Sequence, residues 1–277
     1  MVNEGFELGS LICRLAGRPE FSDLKTDYHK EVADTFAPFA NHDAVKYAKE
    51  HDYVLHYDKI LQFAVHIEKK DNRFIFIEDI NSLFVSKWNE KYAHEFLGLF
   101  NLFYEDTNYA CFFNSHLKLY EESAKKFFDE YYGKIDLEWF RKYIDPANLR
   151  CIYSLSSGNY ACMVNNKIVY CLVHECGTSV IHEYCHLFAN PLADKWYNEN
   201  PIFKKWCDDS INMEEMSFYG DGQTMAYEYV TRAYDILYHV QHGKNINDEL
   251  SIERNYRFED SFKYIENVYE MVLHHEM

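Results

Sequence analysis

The chain is 277 residues long, enough to bury one large core or two lobes around a cleft, and it carries 24 Tyr and 21 Phe against only 10 Gly and 5 Pro. That balance excludes a disordered or low-complexity chain and points to a densely packed, mostly helical protein. A formal net charge of −17 argues against nucleic acid or an anionic membrane surface as partner, since Lys and Arg hold both.

No apolar run reaches the length of a membrane span, and the start, Met1 to Glu7, lacks the basic-then-apolar pattern of a leader. The expected location is cytoplasmic; a secreted or periplasmic chain whose leader had been removed would read the same way. Eight cysteines with no C-x-x-C pair are expected to be reduced thiols.

In chain order, Leu8, Leu11, Ile12 and Leu15 repeat at helical spacing over residues 5–17, and Gly17 and Pro19 stop the run. Asp43 is placed to cap a short helix ending at Glu50. Residues 57–69 predict another helix, with Ile60, Phe63, Ala64 and Ile67 inward. Phe74-Ile75-Phe76-Ile77 fits either a strand or a buried helix. From Trp88 to Tyr143 the period is helical again, and Asp145-Pro146 breaks it. Beyond the break, Ile152–Leu155, Tyr160–Val164 and Lys167–Val173 are short and β-rich. The last two are expected to pair as a hairpin around Asn165-Asn166.

The stretch from Thr178 to Asn190 contains H-E-x-x-H: His182, Glu183, Tyr184, Cys185, His186. Residues four apart on a helix lie on one face, so both imidazoles can reach one zinc ion. Glu183 leaves the same turn and is the candidate to take a proton from a metal-bound water. Histidine is abundant here, so the spacing alone is a modest signal. Its weight comes from the apolar face supplied by Ile181, Cys185 and Phe188, with Thr178 or Ser179 as cap and Pro191 after the last turn.

A catalytic zinc needs a third protein ligand and an open position. The metzincin continuation is excluded, because Ala189 and Leu192 stand where its glycine and third histidine would be. Residues from Pro191 to Gly222 are expected to be rich in loops. A strong helix follows over Gln223–Val240, and Glu228 on it is the favoured third ligand; Glu199, Glu214 and Glu215 compete from less regular surroundings. Read without the motif, Glu228 is simply a helix carboxylate pairing with Arg232 four residues on. Residues 242–250 are expected to link to a final helix from about Phe258 to His274.

The order of strand hairpin, motif helix, loop and glutamate-bearing helix resembles the catalytic core of gluzincin metallopeptidases, the thermolysin-like class. More narrowly, the chain resembles an uncharacterised bacterial family, domain of unknown function 4932. Leu8 to Gly17, Phe36-Ala37-Pro38-Phe39, Ala44 to Ala48, His182 to Leu192 and Tyr219 to Ala233 carry that resemblance. The thermolysin group has an aspartate on its second helix to orient a zinc histidine; here that position is Arg232. The zincin resemblance implies that an extended peptide adds to a strand such as Tyr160–Val164 or Lys167–Val173. It also implies that a tyrosine stabilises the oxyanion, with Tyr219 the first choice and Tyr234 the second.

The expected fold is α+β and mostly helical: a helical N-terminal region over 1–150 and a zincin-like catalytic core over 151–277. The expected function is a zinc-dependent metallopeptidase acting on peptide or protein substrate. His182, His186 and Glu228 hold zinc, and Glu183 and Tyr219 act in catalysis. A zinc hydrolase of a non-peptide amide or ester, and an inactive zincin-fold binding protein, are the rival expectations. Oligomeric state is not legible.

Overall fold

A computed structural model describes the chain apart from residues 1, 23–24, 52–54, 56–57, 78–79, 85–87, 157–159, 165–167 and 174–178. The described residues are mostly helical with two small sheets, the coarse class expected. They group into two compact units: residues 1–135 with 147–180, and residues 136–146 with 181–277.

The first unit is centred on the helix Glu4–Leu15, capped by Asn3, whose side chain accepts from the Phe6 N–H. Phe6, Leu8, Leu11 and Ile12 are buried, a wider apolar face than a surface helix needs, so this helix runs through the core. Phe96, Phe100 and Phe103 line the inner side of a second long helix, Glu90–Asp106. Its buried Asn101 accepts from the Phe74 N–H at 2.7 Å and donates to the Phe74 carbonyl at 2.9 Å.

The helix expected over 57–69 is shorter than its period implied. It spans Asp58–Ala64, and Ile67–Lys70 forms strand β1, antiparallel to β2 (Arg73–Phe76) with Ile67 opposite Phe76. Asp71 and Asn72 both have positive φ, 49° and 64°, which the tight hairpin turn requires. Turn chemistry and Asn101 thus override the helical spacing. Three further strands form one sheet: β3 (Leu149–Tyr153), β4 (Tyr160–Val164) and β5 (Ile168–Val173), in the order β3-β5-β4. The expected β4–β5 hairpin pairs antiparallel, with Val164 opposite Ile168, while its Asn165-Asn166 turn lies outside the described residues. β3 runs parallel to β5, which periodicity does not predict because a strand's partner is not written in its own pattern.

One carboxylate in this unit is fully enclosed. Glu7 accepts from the Ser154 hydroxyl at 2.6 Å, the Leu155 N–H at 3.1 Å and the Ser156 hydroxyl at 2.6 Å, so it ties the N-terminal helix to the exit of β3. Tyr28, itself 2.7 Å from the Tyr120 hydroxyl, approaches from the other side at 3.5 Å. Burial outweighs these donors and holds the Glu7 carboxyl above the usual carboxylate range.

The motif helix runs Ser179–Glu199, the second unit taking it from Ile181 on, with Pro191 inside it rather than after it. Pro191 is exposed, so water can serve the carbonyl it leaves unbonded, and the buried Ala189 and Ala193 hold the helix on either side. The expected loop is therefore largely helical. Asn200 caps a helix over Pro201–Ile211, and a 3-10 turn covers Glu214–Tyr219. Gly220 (φ 86°) reverses the chain, and Asp221 caps the helix Gly222–Gln241. At Gly222 a side chain would run into Asp208 and the Tyr197 hydroxyl.

The expected linker is also partly helical, over Ile246–Arg254, because Asn245 caps it by accepting from the N–H groups of Asn247 and Asp248. The last helix begins later than expected, at Ile265, and ends at Glu276. Aromatic packing holds the unit together: Tyr143 stacks on Phe188 at 3.8 Å between ring centres, and Tyr234 meets both edge-on. Among the described residues no helix is long and apolar enough to cross a membrane.

Candidate metal centre

Two helices of the second unit build the site. On the motif helix, Ile181, Tyr184, Cys185 and Ala189 are buried, and His182, His186 and Asn190 run along the adjoining face at successive steps of four. On the helix Gly222–Gln241, the buried residues Met225, Tyr229 and Val230 lock the segment that presents Glu228 and Thr231, three residues apart.

The three candidate ligands converge. The Nε2 atoms of His182 and His186 are 3.2 Å apart. Glu228 Oε1 lies 3.6 Å from His186 Nε2, and its Oε2 lies 3.8 Å from His182 Nε2. Ligands about 2.0–2.2 Å from a tetrahedral zinc stand about 3.4 Å from one another, close to these separations, which run to different oxygens of Glu228. Among the described residues this is the one group of three His, Cys, Asp or Glu side chains whose ligand atoms all lie within 4.8 Å. Glu199, at the C-terminal end of the motif helix, and the exposed Glu214 and Glu215 do not join it.

The surroundings prepare the histidines as ligands. His186 Nδ1 is 3.0 Å from Asn190 Oδ1, which accepts, so Nδ1 carries the proton and Nε2 offers its lone pair. Thr231 Oγ1 flanks the same nitrogen at 3.0 Å. Burial, then the neighbouring His186 and Arg232, hold His182 well below the usual imidazole range, so the ring is neutral, the form a metal requires.

Arg232 is the cationic neighbour of the cluster. It is 4% exposed, donates to Glu228 Oε2 at 3.2 Å and to Glu253 Oε2 at 2.5 Å, and lies over the Tyr256 ring at 3.9 Å and Phe262 at 4.3 Å. Burial opposes its charge, but the two carboxylates more than offset that. The i,i+4 pair with Glu228 that the bland reading of this helix predicts is therefore present, alongside the approach to both histidines.

Glu183 follows His182 in the same helical turn and is partly buried. Tyr219 ends the 3-10 turn ahead of Gly220, is partly buried, and feels the charges of Glu228 and Arg232. Its hydroxyl pKa is raised, first by burial and then by Glu228, while Arg232 and a hydrogen bond with Arg257 work the other way. Tyr234, the second choice, is committed elsewhere: it is 2% exposed and its hydroxyl donates to Glu276 at 2.8 Å.

Comparison of the chain with protein-family models, with curated proteins and with solved structures gave no significant match. The site therefore stands on its own geometry. Sequence reasoning found Arg232 where the thermolysin group has its orienting aspartate, and missed Asn190 and Thr231, which flank His186 Nδ1. Asn190 was legible in principle, being one more step of four along the histidine face. Thr231 was not, because its role depends on how two helices dock.

Proposed function

We propose that this chain is a zinc-dependent hydrolase, and specifically a metallopeptidase of gluzincin type. The observation that carries the reading is the convergence of two imidazole nitrogens and one carboxylate at separations close to those of ligands sharing one tetrahedral ion. Two nitrogens and one oxygen form a borderline donor set that suits zinc, and three protein ligands leave a position open. An ion held there lowers the pKa of a water it binds and polarises a substrate carbonyl.

The chain's own residues do the remaining work. Asn190 and Thr231 fix the tautomer of His186, and burial keeps His182 neutral. Arg232 holds the Glu228 carboxylate by one oxygen. Glu183, on the turn between the two histidines, takes the proton of the attacking water on its carboxylate oxygen and returns it to the leaving nitrogen. Tyr219 keeps its proton through burial and donates from its hydroxyl to the carbonyl oxygen as negative charge develops there.

The test is Glu183→Gln in the zinc-loaded chain against a peptide library. The variant is expected to keep its zinc and lose about a hundred-fold or more of the turnover. Turnover equal to wild type removes Glu183 from the mechanism. Zinc bound with no cleavage of peptides, amides or esters by wild type contradicts the hydrolase reading.

A further inference from the structure

The edge of the candidate centre carries an arginine whose surroundings differ from those of its neighbours. Arg232 is buried between Glu228 and Glu253, and Arg254 is paired with Asp260 and Glu266. Arg257 is exposed, and among the described residues no carboxylate stands at ion-pair distance from it.

It is nevertheless held in place. Its guanidinium lies 4.3 Å over the ring of Phe218 and 5.9 Å from the rings of Tyr219 and Tyr256. Phe218 and Tyr219 pack against each other at 4.1 Å. A guanidinium over an aromatic face still presents N–H donors on its planar edge, one of which here meets the Tyr219 hydroxyl. Phe218 and Tyr256 are themselves 54% and 54% exposed, an aromatic pair that the fold leaves uncovered. Tyr256 is also the ring beneath Arg232, the partner of Glu228, so the two guanidinium carbons lie within about 10 Å of each other.

We propose that Arg257 binds the free C-terminal carboxylate of a peptide substrate, with Phe218 and Tyr256 as the platform for its terminal side chain. The site would then release a short C-terminal fragment rather than cut internally. An extended chain advances about 3.5 Å per residue, so Arg257 lies within about three residue lengths of Arg232, the partner of Glu228, which suits a short released fragment. Arginine suits the task because its fork meets both carboxylate oxygens at once. The aromatic platform favours a large apolar terminal residue. This assignment rests on the hydrolase reading for its catalytic meaning, but the carboxylate site can be tested without it.

The first measurement is binding of N-acetyl-phenylalanine and N-acetyl-phenylalaninamide to the metal-free full chain by calorimetry. Without metal, the carboxylate has no ion to bind. The acid is expected to bind about ten-fold tighter than the amide, and Arg257→Ala is expected to remove most of that preference while Arg257→Lys keeps part of it. Arg257 is exposed, and an unchanged circular dichroism spectrum confirms that each variant is folded. The second measurement is hydrolysis by the zinc-loaded chain of one N-blocked peptide as free acid and as C-terminal amide, with fragments identified by mass spectrometry. The acid is expected to be cleaved about ten-fold faster, near its C-terminus. Equal binding of acid and amide, a preference that survives in Arg257→Ala, or equal cleavage of both peptides overturns the proposal, the last leaving the hydrolase reading intact. An acid preference that depends on Arg257, with neither peptide cleaved, supports the carboxylate site and instead overturns the hydrolase reading.

Discussion

Glu7 and Glu228 are two carboxylates drawn out of water in different units, and their surroundings differ in kind. Glu7 is met by three hydroxyls and a backbone N–H, so its lone pairs are used by donors of the chain itself. Glu228 has one donor on its own helix, Arg232, and turns its oxygens toward two ring nitrogens, the atoms through which imidazole binds a cation. Donors around an acceptor complete it. Acceptors facing acceptors leave a place for a cation, and in the bare chain one ring N–H bridging the 3.2 Å between the histidines is a poor substitute. Burial alone therefore does not mark a functional carboxylate; the polarity of what faces it does.

The largest effect that separates the two is on metal affinity. Glu228→Gln is expected to weaken zinc binding by about a hundred-fold or more, since direct ligands outweigh the outer groups that cost about 10–100-fold. Glu7→Gln is expected to leave it unchanged, both being read by competition with a chelator. Equal effects would erase the distinction.

Glu7 shows itself in stability against pH instead. Its folded pKa lies above the ordinary value of 4.5, chiefly through burial, so its contribution favours the folded state below that value and is lost as the pH rises through the folded pKa. Relative to Glu7→Gln, which is neutral throughout, wild type is expected to lose stability as the pH rises from about 4.5. Denaturant melts of both proteins across that range check this, and parallel curves would contradict it. A smaller effect is expected around His186. Asn190→Ala or Thr231→Val is expected to cost about ten-fold in zinc affinity, and no change in either would mean that Nδ1 needs no orienting partner.

Legibility differed between the parts. The helical class, the helix Glu4–Leu15 and the pairing of β4 with β5 follow from local period and turn chemistry, which the sequence displays directly. So does the meeting of His182 and His186, four residues apart on one helix. Errors gathered where a local signal was weaker than its tertiary setting. Pro191 read as a helix end, yet Ala189 and Ala193 are buried on either side of it and the helix continues. Residues 67–69 read as helix, yet Asn101 and the left-handed Asp71 and Asn72 favour a hairpin. The approach of Glu228 was reached from the regularity of its helix, while Thr231, Arg232 and Arg257 acquire their roles only once the helices have docked.

The most direct test of the central claim is X-ray absorption at the zinc edge on the full chain loaded with one equivalent of zinc. About one ion is expected per chain, with two imidazole nitrogens and a carboxylate oxygen at about 2.0–2.2 Å and an additional light-atom ligand at the open position. A spectrum dominated by sulfur at about 2.3 Å, or by water with no imidazole scattering, would show that zinc does not bind where His182, His186 and Glu228 converge.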